Sequence, residues 1–410
     1  MSRLPFLFII SGMVGFVLFH AASLMSFSGW IGEGLRGPSG WFHVHLFVLG
    51  WATMLAMGAV YQLINVILQS NIYSERLGYI QYAVFTVGLS GLLIGFIQGE
   101  VYWIAAFAAL AFSGILLFAW NMAVTLFRAS QWNAITISAA FAVLYLVLTG
   151  FSGMAMGLNF ATGLWNELHS RLFGTHIWLG TVGWFGLLIT GFSYKMLPMF
   201  YLAHDYPTGL QKVVLVVWNA GVIAGAISFL LNGNIWTKWS ALLLIAIAVA
   251  VYNVHILQIR KHRHKRSPGT GIQWSMYANH AFAVAAVAIL AGSLRNPQHL
   301  LLAKSVTLAG WIYLAGWVSF TILCYLSKIV PFLWWTYKYG KQAGKPGTPV
   351  MSDLLSDKNV NAGLAAIAAF MFVLLAGLVF DSHLAAAVGG TAYSVFSIVY
   401  MVRIGLVFAR

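Results

Sequence analysis

The chain has 410 residues, 61% hydrophobic and only 7% charged, with a formal net charge of +14. That composition excludes a soluble domain of any size and places the chain among polytopic membrane proteins. The lone cysteine, Cys324, excludes disulfides, iron–sulfur clusters and thiolate zinc sites within the chain.

A helix crossing a bilayer needs roughly 20 mainly apolar residues. Windows of that length predict helices over 4–27, 41–68, 77–98, 101–127, 133–157 and 171–198, then over 209–231, 236–259, 274–294, 302–327, 360–380 and 385–409. The first follows Met1-Ser2-Arg3 and has no small-residue cleavage site behind it, so it reads as a retained span rather than a signal peptide. The expected fold class is an all-α polytopic membrane protein of about twelve helices.

Those twelve fall into three groups of four. The dipeptide Gly-Trp recurs at Gly50-Trp51, Gly183-Trp184 and Gly316-Trp317, two gaps of 133 residues. The same spacing pairs His43 with His176, Gly58 with Gly191, Tyr61 with Tyr194, Lys195 with Lys328 and Pro198 with Pro331. Long fixed periods signal a unit used repeatedly, so we expect three pseudo-symmetric repeats, 1–132, 133–266 and 267–410, within a single transmembrane domain. The Gly-Trp pairs themselves read as packing, since glycine admits a close neighbour and tryptophan fills space. Lys195 to Pro198 and Lys328 to Pro331 read as helix ends, with snorkelling lysines and terminating prolines.

Orientation follows from the basic residues, because cytoplasmic loops hold the Lys/Arg excess. The densest run, Arg260-Lys261-His262-Arg263-His264-Lys265-Arg266, and Lys328, Lys338, Lys341 and Lys345 put both termini on the cytoplasmic side, and the membrane is taken to be the plasma membrane. The run reads as a topology signal in preference to a nucleic-acid or anionic-lipid site, and no nucleic-acid partner is expected.

All eight acidic residues, Glu33, Glu75, Glu100, Glu167, Asp205, Asp353, Asp357 and Asp381, fall in predicted loops or at helix ends. Ion-coupled transporters and proton pumps keep carboxylates within the bundle, so this distribution counts against both. Histidine is placed differently: His20, His43, His45, His169, His176, His299 and His383 share the outer level of the predicted topology. Neutral imidazole is the commonest ligand for metals and haem iron. His43 and His176 stand at equivalent places, and a helix separates His43 from His45 by about 200°, so the two cannot face one ligand. His43 shares its face with Phe47, Gly50, Met54 and Tyr61, and His176 with Gly180, Gly183, Leu187 and Tyr194. His45 lies on a small-residue stripe with Ala52, Ala56 and Ala59. His43 and His176 are therefore the candidate metal ligands, with His45 and His20 as further cofactor-binding candidates. His280 reads as a buried polar contact, and His169, His299 and His383 as solvated boundary residues.

Twelve helices in three groups of four, an outer histidine on helix two and the stretch His43-Val44-His45-Leu46, Gly50-Trp51 and Met57-Gly58-Ala59-Val60-Tyr61 resemble the catalytic subunit of haem-copper oxidases and nitric-oxide reductases. The resemblance implies low-spin haem, with His43 as an axial ligand and His176 at the place of a copper ligand on helix six. The chain departs from the pattern in having no adjacent His-His pair and no histidine in helix ten, Leu302 to Ser327. It thus implies a haem-binding protein in electron transfer or in haem or nitric-oxide handling, without a complete oxygen-reducing centre. Haem, of b type, is the expected cofactor, copper is unsupported by a full ligand set, and a redox partner or second subunit follows. The chain also resembles haem- and copper-containing membrane proteins associated with nitric-oxide stress, although Leu46 stands where that family places an acidic residue. The alternative is a cofactor-free transporter or channel.

Overall fold

The computed structural model describes residues 3–32, 37–68, 71–128 and 132–410, the side chains of 27–32 excepted. Glu33 lies outside the described residues. Twelve helices are long and apolar enough to span a membrane. They are α1 (Leu4–Ser26), α2 (Pro38–Leu68), α3 (Glu75–Gln98), α4 (Val101–Phe127), α5 (Ala134–Thr162), α6 (Asn166–Tyr201), α7 (Gly209–Leu230), α8 (Ile235–Lys261), α9 (Thr270–Ser293), α10 (Ala303–Gln342), α11 (Asp357–Val379) and α12 (His383–Ala409). Among the described residues there is no strand beyond one isolated bridge. Helices are the open-ended solution in hydrocarbon because each satisfies its own backbone.

Local chemistry sets the helix starts and stops. Ser74, Asn133, Asn234 and Ser382 cap α3, α5, α8 and α12, each side-chain oxygen accepting from a first-turn N–H. Gly99 and Gly163 end α3 and α5 in the left-handed region, at φ 70° and 65°. Seven acidic residues sit in connections or at helix ends, as the sequence suggests.

Two expectations need correction. Pro198 and Pro331 lie inside α6 and α10 rather than ending them. A membrane helix tolerates proline where neighbours satisfy the freed carbonyl, and α10 continues through Trp334, Trp335 and Lys338 to Gln342, well past the apolar window that ends at 327. Lys328 is no snorkelling terminus; it reaches Asp357 at 3.5 Å.

Each span packs on the next and α12 packs on α1, so the order of neighbours closes on itself. α2, α6 and α10 meet at the centre. Trp51 of α2 donates its indole N–H to Ser319 of α10 at 2.9 Å, and Tyr313 of α10 donates to the Thr181 carbonyl of α6 at 3.1 Å. Trp51, Trp184 and Trp317 are all buried, Trp317 donating to Asn279 at 2.6 Å. Around each Gly-Trp pair the helix widens to π geometry, at Leu46–Thr53, Leu179–Phe185 and Trp311–Ser319. Such segments are rare and concentrate at functional sites. Large apolar side chains such as Leu18, Val87, Val216 and Phe372 are exposed on the bundle surface, as contact with lipid requires.

At Gly15 any Cβ would collide with the backbone of Gly50, so α1 and α2 touch backbone to backbone there. Gly15→Val is therefore expected to destabilise the purified protein by about 3 kcal/mol, read as a lower thermal unfolding temperature. Trp51→Phe should lose the bond to Ser319 and leave a void where part of the wholly buried indole stood, a combined cost of about 3 kcal/mol read in the same melt.

Candidate functional site

A cavity of about 350 Å³ opens between α2, α3, α4, α5 and α6, at the end of the bundle that carries the α1–α2 and α5–α6 connections. Its wall is mainly apolar, with Trp41, Phe96, Phe112, Phe160 and Phe173 among its aromatic members. Three histidines enter it: His45, His169 and His176. The size falls within the roughly 300–1,000 Å³ of small-molecule and cofactor sites, and an apolar pocket with few convergent polar groups is their usual form.

The rings of His45 and His176 stand 6.2 Å apart, centroid to centroid, with 29° between their planes. Each is oriented through Nδ1. That atom of His45 lies 2.7 Å from the Trp41 carbonyl, and that of His176 lies 2.9 Å from the Thr149 carbonyl. A carbonyl can only accept, so both Nδ1 atoms carry the proton. In a neutral ring the lone pair is then on Nε2. Neither Nε2 has a hydrogen-bond partner among the described residues. A histidine that ligates a metal is held in this way, its other ring nitrogen donating to a carbonyl.

The helices fix these orientations. His45 ends the α-helical turn Pro38–His45, and its Nδ1 bonds back to the carbonyl four residues earlier. Its ring leans on Phe96 of α3 at 4.8 Å. His176 crosses instead to α5, where Thr149 and Ser152 face it and Gly153 leaves room for the ring. A Cβ on Gly153 would stand 2.9 Å from His176 Cε1.

The other candidates are placed elsewhere. His43 is buried against α1, with Nδ1 on the Ser39 carbonyl at 2.7 Å and Nε2 on Ser26 Oγ at 3.1 Å. It does not line the cavity and does not meet His176. His20 lies wholly buried between α1 and α12, bonded through Nδ1 to Ser394 Oγ at 3.1 Å and packed by Phe16, Phe19 and Tyr393. His169, expected in solvent, faces the cavity, with Nδ1 3.2 Å from Asn159 Nδ2 and its ring on Phe160 at 4.8 Å. The signal for it was present in the sequence: His169 and His176 are seven residues apart, two helical turns on one face. Among the described residues no group of three or more His, Cys, Asp or Glu is arranged to hold a metal ion.

Fold and cavity together define an all-α, multi-pass membrane protein with a paired-imidazole pocket. The sequence matches no protein-family model and no curated protein.

Widening Gly153 tests the packing around His176. Gly153→Val should push the ring off its bond to Thr149 and destabilise the protein by about 2 kcal/mol, measured by thermal unfolding. Gly292→Val, where nothing stands within 4 Å of the glycine, should carry no packing cost and, since glycine is the poorer helix former, gain a few tenths of a kcal/mol.

Proposed function

We propose that this chain is a haem-binding integral membrane protein in which His45 and His176 are the axial ligands. The observation that carries the reading is the pair of imidazoles on one cavity, each with Nδ1 committed to a backbone carbonyl and Nε2 left to a ligand. The two ring centroids lie 6.2 Å apart with 29° between their planes, close enough that both rings would hold one bound group. The apolar wall suits a macrocycle, and Gly150, Gly153 and Gly157 on α5 keep that side of the cavity low.

Bound there, haem would supply one-electron redox chemistry. Two histidines saturate the iron and favour electron transfer over gas binding. The chain's part is to hold both rings in one tautomer, to exclude water with Trp41, Phe96 and Phe160, and to insulate the pocket from the lipid. This reading keeps the resemblance to the haem-copper oxidase catalytic subunit, without an oxygen-reducing centre, and moves the helix-two ligand from His43 to His45. It also carries the remaining expectations: a plasma-membrane location, cytoplasmic termini, a redox partner, and one four-helix unit used three times. The π-helical segment at each Gly-Trp pair supports that last element.

The test is a reduced-minus-oxidised visible spectrum of the detergent-purified protein with metal analysis of the same sample. Sharp low-spin haem bands are expected. His45→Ala and His176→Ala should each abolish them or convert them to a high-spin, ligand-binding form, while His43→Ala leaves them in place. Bands lost in His43→Ala but kept in His45→Ala would restore the assignment drawn from the repeat, and a colourless, metal-free protein would favour transport.

A further inference from the structure

The basic run after α8 is not a loose loop. Arg263 forms an antiparallel bridge with Ala203, just beyond the end of α6. His264 N–H donates to the Leu202 carbonyl at 3.4 Å and Lys265 N–H to the Tyr201 carbonyl at 2.9 Å. Arg263 also bonds its own guanidinium to the Arg260 carbonyl at 2.8 Å. The ends of α6 and α8 are thereby clasped together. Arg260, Lys261, Arg263, Lys265 and Arg266 stand exposed on the clasp, with the His204 and His264 rings 5.8 Å apart beside them.

Orientation alone needs the cations but not the clasp, since a flexible loop retains a positive charge equally well. Gathering five cations on one backbone-paired segment adds mutual repulsion, which an anion relieves. The protein supplies little: the two ion pairs among the described residues are Lys304–Asp381 and Lys328–Asp357, and neither involves the run. Asp205 is the single carboxylate in the paired segments. The clasp closes the ends of two membrane helices, so it stands at the level of lipid headgroups. The last turns below it present exposed apolar side chains, Met199 and Leu202 on the α6 side and Val254 and Leu257 on α8. Fixed cations above apolar surface suit an amphiphile with an anionic head. Clusters of four to eight Lys/Arg beside a membrane helix have this property, and guanidinium pairs with phosphate oxygens through parallel N–H bonds.

We propose that the α6–α8 clasp is a binding site for the phosphate-bearing headgroup of an anionic phospholipid. A free phosphate shares the head chemistry; the apolar stripe favours the lipid. This assignment is independent of the histidine cavity.

The test is native mass spectrometry of the full chain released from nanodiscs of equimolar phosphatidylglycerol and phosphatidylcholine. Retention of phosphatidylglycerol over phosphatidylcholine by roughly tenfold is expected. The R263S/K265S/R266S variant should lose that selectivity, whereas K341S/K345S/K358S, which removes as many charges at the same end of the bundle, should keep it. A thermal melt of each variant establishes that it is folded. Equal retention of both lipids by the wild type, or unchanged selectivity in the clasp variant, would overturn the proposal. Displacement of the retained lipid by millimolar inorganic phosphate would instead assign the site to a free anion and overturn the lipid.

Discussion

The cavity depends on where two imidazoles place their Nδ1 protons. In a medium without water an unpaired polar atom is costly, and His45 and His176 each meet that cost at one nitrogen by bonding to a backbone carbonyl. The bond fixes the tautomer, the ring orientation and the identity of the nitrogen left over. Everything else around the pocket serves those orientations. Phe96 backs the ring of His45, and Gly153 clears a place for that of His176. A histidine that uses both nitrogens on protein groups, as His43 does, packs the bundle and is withdrawn from ligation.

The spans were legible because the bilayer imposes a length and a polarity that local composition cannot hide. Deviations came where a helix outlives its apolar window: α10 carries Trp334, Trp335 and Lys338 beyond the residues that hydropathy counts as a span. The cavity was legible only in part. The period of 133 residues puts His43 in register with His176, and their surroundings do correspond: His43 turns to α1, the helix before it, and His176 turns to α5, the helix before it. A shared sequence register does not by itself bring two residues to one pocket, and the neighbour of His176 is the histidine on the opposite face of α2, two residues from the one in register. Depth and periodicity could select the helices, but the choice of face required the packing.

A second constraint is that the carboxylates among the described residues stay out of the middle of the spans, Glu75, Glu167 and Asp357 standing in first turns. The polar interior of α6, α9 and α10 is assembled from neutral groups: Ser193 Oγ stands 3.4 Å from the Tyr325 hydroxyl, and Asn279 accepts from Trp317. Hydroxyls and amides can be satisfied without moving a charge into hydrocarbon, which costs far more. The same economy applies at the cavity, whose polar side chains are imidazoles and the hydroxyls of Thr149 and Ser170.

Charge is instead displaced to the ends, where it acts twice. The net excess of Lys/Arg orients the chain during insertion, a property of the sequence that needs no defined structure. Once α6 and α8 are joined through Ala203 and Arg263, the same cations are gathered on backbone of defined course. Repulsion among gathered like charges is relieved most by an anion that reaches several at once.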